Sequence, residues 1–521
     1  MSWAEHRGWK QILCAVLVLA VLLARVPLLW RTGEFVAEDG WVFFAGAWNH
    51  PGLSSLLLPY AGYFHLLPRL IAAAWSGLPI IAQPYAFAFT GLALNAAILS
   101  ALYLPAFRRV LPSDAGRLAI VLFLAIAPNA ENLGLLLGLH WYLALLLTLL
   151  LVAPAPASPG ARYALLGVAF LCVWSSPSTL VLLPFAMLAW WRAPDRFARI
   201  QLAAVLAMLA TSVVALSILR AAGPVRTAPV AWLDVARSVD RLVLRGWLGT
   251  ALLGPQLAGY LARIAPLLLD GLMSAVAVAL GVWLWRRRMH VATRAAAILL
   301  GAAVLMLLLS LARTAYVTEL AGLGMPRHVR YATAPTLLLY VALGILIAGA
   351  APAHRRGWLA AAAICGALLV VSLPGQNHWA RPAARFRLRD ALPAIQHLQA
   401  QFAFDRKPAS LYVPSDVPYW GPVLEVGGGE LIRPEVGPAK ALDATPRPDG
   451  GFDSWLGRFR PAGGTWIEHA GLGRLEFTGI EQGRVFFNDA NGALIFTSPL
   501  LYPRWWKLDH FEWTLLEPAS R

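Results

Sequence analysis

Charged residues are scarce in this chain. Of its 521 residues, 13% are Asp, Glu, Lys or Arg, against roughly 25% in a soluble globular protein, while 59% are apolar. A water-soluble fold cannot hide that much apolar surface, which excludes a soluble enzyme or a soluble binding module as the reading of the whole chain. Cysteine is scarce as well. The three cysteines, Cys14, Cys172 and Cys365, share no metal-ligand or redox spacing, and each falls in an apolar run where it serves as a small buried residue. A Walker loop is missing, and the glycine run Gly427 to Gly429 has no surroundings that would make it a phosphate cradle, so soluble nucleotide chemistry has no support. There is no tandem repeat and no pair of halves with matched broken helices, which counts against many secondary-transporter folds. Although His6, Arg7 and Lys10 precede the first apolar run, no small-residue cleavage site follows it, so that run is read as a span and not as a removable signal.

What the chain does have is long apolar segments. Gln11 to Trp30, Gly138 to Val152, Ala295 to Leu311 and Tyr331 to Ala350 approach or reach the ~20 residues that cross a bilayer as helix, and in lipid each must satisfy its own backbone hydrogen bonds. Spans are expected at about 11–30, 84–106, 118–134, 138–153, 163–177, 178–192, 200–220, 263–285, 295–312, 331–350 and 357–374, eleven in all. The net charge of +16 resides mostly in arginines between these spans, so it reports topology and not a nucleic-acid partner. Clusters at Arg108, Arg109 and Arg117, at Arg192, Arg196 and Arg199, at Arg286 to Arg288 with Arg294, and at Arg355 and Arg356 fall in every second loop. By the positive-inside rule those loops and the N-terminus are cytoplasmic. The expected fold is therefore an all-α polytopic membrane bundle over residues 1–374, followed by a small α/β or β-rich extracytoplasmic domain over 375–521. In that domain Leu388 to Phe402 has helical periodicity, and Ser410 to Pro414, Leu475 to Thr478, Arg484 to Asn488 and Ala493 to Thr497 are strand-like runs separated by turn residues. The alanine-, arginine-, leucine- and tryptophan-rich composition points to a GC-rich bacterium and its inner membrane.

The first outer loop, 31–83, is long and only partly apolar. Trp41, Phe44, Ala45 and Trp48 recur at helical spacing and predict an amphipathic helix in the membrane interface. The adjacent acids Glu38 and Asp39 open that helix. Two carboxylates beside an aromatic stretch are costly to desolvate unless they are used: as a general base toward an acceptor hydroxyl, or as ligands of a divalent cation such as Mg or Mn. The competing role is an interfacial N-cap. Glu131, in Pro128-Asn129-Ala130-Glu131-Asn132 at the outer end of a later span, is a further candidate acid and, with Asp39, a candidate metal ligand; its plainer role is in a loop-forming polar cluster. His65 and Arg69, in the stretch Tyr60 to Arg69, and His140 at the start of the next span, are candidates for binding a sugar or a headgroup. A structural histidine, and an aromatic belt formed by Trp141 and Tyr142, are the plainer alternatives.

The outer loops also hold more arginine than the positive-inside rule favours: Arg226, Arg237, Arg241, Arg245 and Arg263 in one, Arg313, Arg327 and Arg330 in another. Guanidinium groups bind phosphate through paired hydrogen bonds. Arg237, Arg241 and Arg245 keep a four-residue spacing that equally suits anionic lipid headgroups, whereas Arg327, Arg330 and Tyr331 crowd the mouth of a span and suit a lipid-linked phosphate.

In architecture the chain resembles the GT-C superfamily of membrane glycosyltransferases: a cytoplasmic N-terminus, one span, an outer loop opening with adjacent acids and an interfacial helix, many further spans and an outer C-terminal domain. Around Glu38 to Tyr63 it is also similar to uncharacterised bacterial multi-pass membrane proteins. The resemblance implies that Asp39, with Glu38 next and Glu131 in support, acts as catalytic base or metal partner, and that Arg327 and Arg330 hold the phosphate of a polyprenyl-linked sugar donor. The implied reaction is inverting transfer of a hexose or pentose to an acceptor on the outer face, with a lipid-linked sugar donor and membrane lipids as partners. A transporter or flippase for a lipid-linked or polar substrate is the alternative from another class, and a non-catalytic scaffold is a third.

Overall fold

The computed structural model describes residues 5–377, apart from 37, 61–62, 129–131, 155, 157, 192–195, 222–239, 289 and 314–330, together with a few positions between 388 and 396 and a series of strands between 409 and 515. Through residue 377 the described chain is mostly helical. Among the described residues, five helices are long and apolar enough to cross a membrane: 80–109, 198–215, 266–286, 291–309 and 354–373. A sixth is reached if the helices Pro159–Ser175 and Pro177–Trp191, which bend by 117° at their junction, count as one broken span. The eleven expected spans thus meet helices, but not eleven full-length ones. Leu139–Val152 has 14 residues and extends about 21 Å at 1.5 Å per residue, short of the ~30 Å hydrocarbon core. Across the segment expected over 118–134, the described α-helix is Asp114–Ala125.

The chain divides into two compact units, one comprising residues 1–28, 59–68 and 88–379, the other 29–58, 69–87 and 380–521. The first unit contains helices α1 (Glu5–Arg25), α2 (Gln83–Ser100, from residue 88), α3 (Asp114–Ala125), α4 (Leu139–Val152), α5 (Pro159–Ser175), α6 (Leu183–Trp191), α7 (Arg196–Ala221), α8 (Pro255–Ile264), α9 (Pro266–Arg286), α10 (Val291–Arg313), α11 (Thr333–Ala348) and α12 (Pro352–Asn377). Local sequence sets their starts. The Ser113 hydroxyl accepts from Gly116 N at 3.1 Å and caps α3, Ser158 does the same for α5 through Ala161 N, and proline opens α5, α8 and α9, where a missing N–H is harmless. Helices that are apolar all round belong in the centre. Accordingly α11, with Thr333 to Ala342 buried without a break, packs against α10, α3 and α4. By contrast α9 and α12 expose Leu267, Val278, Trp285, Ile364 and Val371, the outward surface that lipid would cover. Close backbone approach sharpens the packing: a Cβ at Gly91 would collide with the backbone of Gly134, and one at Gly138 with that of Asn132.

One buried charge ties this unit together. Arg25, at the end of α1, donates to the carbonyls of Ala125 and Ala127 at 2.5 and 2.8 Å, completing hydrogen bonds that the C-terminus of α3 lacks. Arg25→Ala leaves those carbonyls unsatisfied but also removes a buried cation, so the net loss should be about 2 kcal/mol; denaturant unfolding in detergent measures it. A second ion pair corrects an expectation. Arg245, expected to face phosphate, instead forms a fork with Asp270, Nε to Oδ1 at 2.7 Å and Nη2 to Oδ2 at 2.5 Å. Its donors are engaged within the protein because Asp270 on α9 lies beside the π-helix Asp240–Gly249 that carries it. Asp270→Asn should lower stability by about 1 kcal/mol, given the pair's partial exposure.

In the second unit, Asp39–Phe44 is a π-helix continued by the α-helix Ala45–Asn49. The expected helix is present, but its buried side is different: Val42, Phe43, Phe44, Ala45 and Ala47 are buried while Trp41 and Trp48 are half-exposed. The wider π turn, closing i to i+5, shifts which residues share a face. Further on in this unit the described backbone is strand: β1 (Ala409–Tyr412) and β2 (Val423–Val426) pair antiparallel, and nine further strands, β3 (Ala441–Asp443), β4 (Thr445–Pro446), β5 (Phe452–Ser454), β6 (Gly457–Pro461), β7 (Trp466–His469), β8 (Gly473–Glu481), β9 (Arg484–Asn488), β10 (Leu494–Thr497) and β11 (Glu512–Leu515), form one antiparallel sheet in the order β3-β11-β10-β9-β8-β7-β6-β5-β4. Its edge strands β3 and β4 are separated by a single residue, so those strand ends lie within about 7 Å of one another. Backbone register aligns position 453 with 458, and 468 with both 460 and 474. The helical periodicity over Leu388 to Phe402 falls mostly outside the described residues.

Candidate functional site

Two polar clusters stand out, one in each unit. In the second unit, Asp39 is 3% and Glu38 8% exposed. The capping explanation fails for Glu38: it precedes the π-helix in helical backbone geometry and its side chain makes no cap hydrogen bond. Asp39 is already the first residue of that helix, its own N–H bonded to Val36 O at 3.1 Å. The helix is seated by aromatic packing, with Phe35 stacked on Phe44 at 4.4 Å between centroids and edge-on to Phe87 at 5.3 Å.

Arg69 is part of the same unit. It is 3% exposed, and its guanidinium lies 5.8 Å from the centroid of the fully buried Phe43 ring. Gly46 makes room for it, since a Cβ there would come within 2.9 Å of Arg69 Nη1. Asp39 precedes Phe43 by four residues, close to one turn of a π-helix, so the two positions share a side of this segment by register. Burial lowers the Arg69 guanidinium from its usual value to about 10, which leaves it cationic at neutral pH. Two desolvated acids and a buried cation held in one unit are charges in low-dielectric surroundings, where electrostatic effects are strongest.

The second cluster, in the first unit, is built around two histidines. His65 is fully buried and adopts φ of +52°, a left-handed conformation uncommon outside glycine and often found at functional positions. Its ring lies 3.8 Å from that of Tyr63 and 5.6 Å from that of Tyr60, and Tyr60 and Tyr63 close a tight backbone bridge just before it. His140 stands perpendicular to His65 at 6.3 Å. Its Nδ1 is 2.5 Å from Leu137 O; with Nδ1–H donating there, Nε2 carries the lone pair. Trp141 contacts the His140 ring at 4.4 Å and the Tyr331 ring edge-on at 6.1 Å. The support is rigid: Asn132 Nδ2 donates to Thr333 Oγ1 at 2.7 Å, and Gly134 N donates to Asn95 Oδ1 at 2.9 Å. Behind His65, Leu67 N donates to Ser175 Oγ at 2.7 Å, at the helix break where Ser175, Ser176, Ser178 and Thr179 are all buried.

Asp39, Glu38 and Arg69 fall in one unit, and His65, His140 and Tyr331 in the other, the division lying between Pro68 and Arg69. Trp141, expected in an interfacial aromatic belt, is 5% exposed and packs inside the cluster. Glu131, Arg327 and Arg330 lie outside the described residues. Among the described residues no group of three or more His, Cys, Asp or Glu side chains is placed to hold a metal ion; Glu38 and Asp39 offer the carboxylate oxygens that Mg or Mn favours, and Glu131, the further candidate ligand, is not described. Sequence reasoning missed the roles of Gly46, Tyr63 and the Asn132–Thr333 pair. The aromatics flanking His65 were a signal for the histidine cluster; nothing in the pattern marks Gly46.

A cavity of about 580 Å³ in the first unit has walls that are almost wholly apolar, among them Phe123, Trp247, Leu280, Leu339 and Trp358. Its size and lining suit a hydrocarbon chain. No family model matches the chain, and neither a curated protein nor a solved structure matches it.

Proposed function

We propose that this chain is a membrane glycosyltransferase of GT-C type that moves a sugar from a lipid-phosphate carrier to an acceptor on the outer face of a bacterial inner membrane. The observation that carries this reading is the buried pair Glu38 and Asp39, Glu38 making no cap hydrogen bond, with the buried Arg69 in the same unit. A carboxylate held out of water is poised to take the acceptor hydroxyl proton, with Asp39 as the base and Glu38 beside it. Arg327 and Arg330 stabilise charge on the departing phosphate, and Glu131 assists as a further acid or shares a divalent cation with Asp39. His65, His140, Tyr331 and Arg69 bind polar parts of donor or acceptor, and the apolar cavity accepts part of the carrier chain. In this reading the helices make eleven crossings with the N-terminus cytoplasmic, and the strands beyond residue 409 belong to an outer domain.

The direct test incubates the purified full-length protein with polyprenyl-phosphate hexoses and pentoses and a set of hydroxyl acceptors. A new glycosidic product with inverted anomeric configuration, released with the polyprenyl phosphate, is the expected result. Absence of any product across donors, with the protein folded, counts against transfer.

The helix break at Ser175 and Ser176 favours a second reading. A bend of 117° between apolar helices, with four buried hydroxyls around it, is the kind of interruption that transporters place at a binding site. Transbilayer movement of a lipid-linked or polar substrate in liposomes, without a bond being made, would select that reading over sugar transfer.

A further inference from the structure

Away from both clusters, the first unit encloses a cavity of about 470 Å³ between the C-terminal half of α4, helices α5, α6 and α7, and the start of α10. Phe107, Val110, Leu151, Leu202 and Ile298 supply apolar wall, and among the described residues no acidic side chain lines it. Two arginines do, Arg109 and Arg294, and both are exposed. The nearby acid, Asp114, is already engaged by Arg108 at 3.2 Å and by Arg117. Arg294 spends one N–H on Arg288 O at 3.3 Å, while Arg109 forms no ion pair or side-chain hydrogen bond among the described residues. Two guanidiniums at an apolar hollow therefore retain most of their donors.

We propose that this cavity binds one anionic phospholipid, its phosphodiester held by Arg109 and Arg294 and part of an acyl chain lying against the apolar wall. Guanidinium forks match phosphate oxygens, and basic pockets between membrane helices suit anionic headgroups. The walls select a lipid over a free anion, because inorganic phosphate has nothing to place on Leu151, Leu202 and Ile298. A zwitterionic lipid brings its own ammonium, which two uncompensated arginines repel. Both arginines belong to the basic loops read as cytoplasmic, so the lipid would come from the inner leaflet. This proposal does not depend on the catalytic reading.

The test is native mass spectrometry of the full-length protein in detergent, titrated with phosphatidylglycerol, with phosphatidylcholine of the same chains, and with inorganic phosphate. Phosphatidylglycerol should bind at least about 10-fold more tightly than phosphatidylcholine. In Arg109→Gln/Arg294→Gln that affinity should fall by about 30-fold, the product of two contributions of about 1 kcal/mol each, whereas Arg109→Lys/Arg294→Lys should keep most of it. Equal affinity for the two lipids, undiminished phosphatidylglycerol binding in the glutamine variant, or phosphate binding as tight as lipid would each overturn the assignment. An unfolded glutamine variant would leave the lysine variant and the lipid comparison to decide.

Discussion

Asp39→Asn should reduce sugar transfer by about 10³-fold while the protein still folds. The substitution keeps the shape of the side chain and its ability to accept a hydrogen bond, but an amide cannot take the proton of an acceptor hydroxyl, and general-base catalysis is worth about 10²- to 10⁴-fold. Asp39 is 3% exposed, so bulk water cannot replace the carboxylate easily. The stability cost should stay near 1 kcal/mol, because the neutral amide is easier to bury than the ion it replaces and Glu38 remains beside it. Glu38→Gln separates the roles of the two acids: a smaller loss, about 10-fold, fits a neighbour that tunes the base, and a loss equal to that of Asp39→Asn would make the pair a single unit. Rates come from initial velocities with saturating donor, and folding from denaturant unfolding of the same preparations. Full activity in Asp39→Asn would take the acid out of the mechanism and leave both carboxylates as structural charges.

Long helices were legible because their signal is intrinsic to the chain: apolar runs, Ser113 and Ser158 as caps, and prolines at helix starts each act within a few residues. Strand runs such as Arg484 to Asn488 were legible for the same reason, with the antiparallel pairing of Glu481 and Arg484 closing a two-residue connection. Partnership through space was not. Nothing in the sequence shows that Arg245 pairs with Asp270 twenty-five residues later, that Arg25 serves carbonyls a hundred residues away, or that a glycine at 46 admits Arg69. The acid pair was found because two adjacent carboxylates beside aromatics are conspicuous on chemical grounds. The face read for the helix that follows, Trp41, Phe44, Ala45 and Trp48, differs from the buried one because the period used was that of an α-helix, and Asp39–Phe44 is a π-helix.

Arg69→Gln is expected to cost about 3 kcal/mol, the scale on which removing one partner strands a buried charge. The guanidinium lies against Phe43 and Gly46 with almost no solvent, so its loss removes a buried cation from the unit that holds two desolvated carboxylates. The second substitution makes the argument decisive. If Arg69 and Asp39 compensate one another, Asp39→Asn/Arg69→Gln removes both charges together, and the double variant should be more stable than the sum of the single changes predicts by about 1–3 kcal/mol, the range found for residues sharing one ionic network. Additivity to within about 0.5 kcal/mol would mean that the two charges do not sense one another, and the ionic site would reduce to two independent buried groups. Coupling would mean that Arg69 sets the potential at the acid that takes the proton. Activity should then follow the same cycle: Arg69→Gln raises the proton affinity of the acid by withdrawing a nearby positive charge, so transfer by this variant should need a higher pH than the unmodified protein, whereas Asp39→Asn should show no such recovery at any pH.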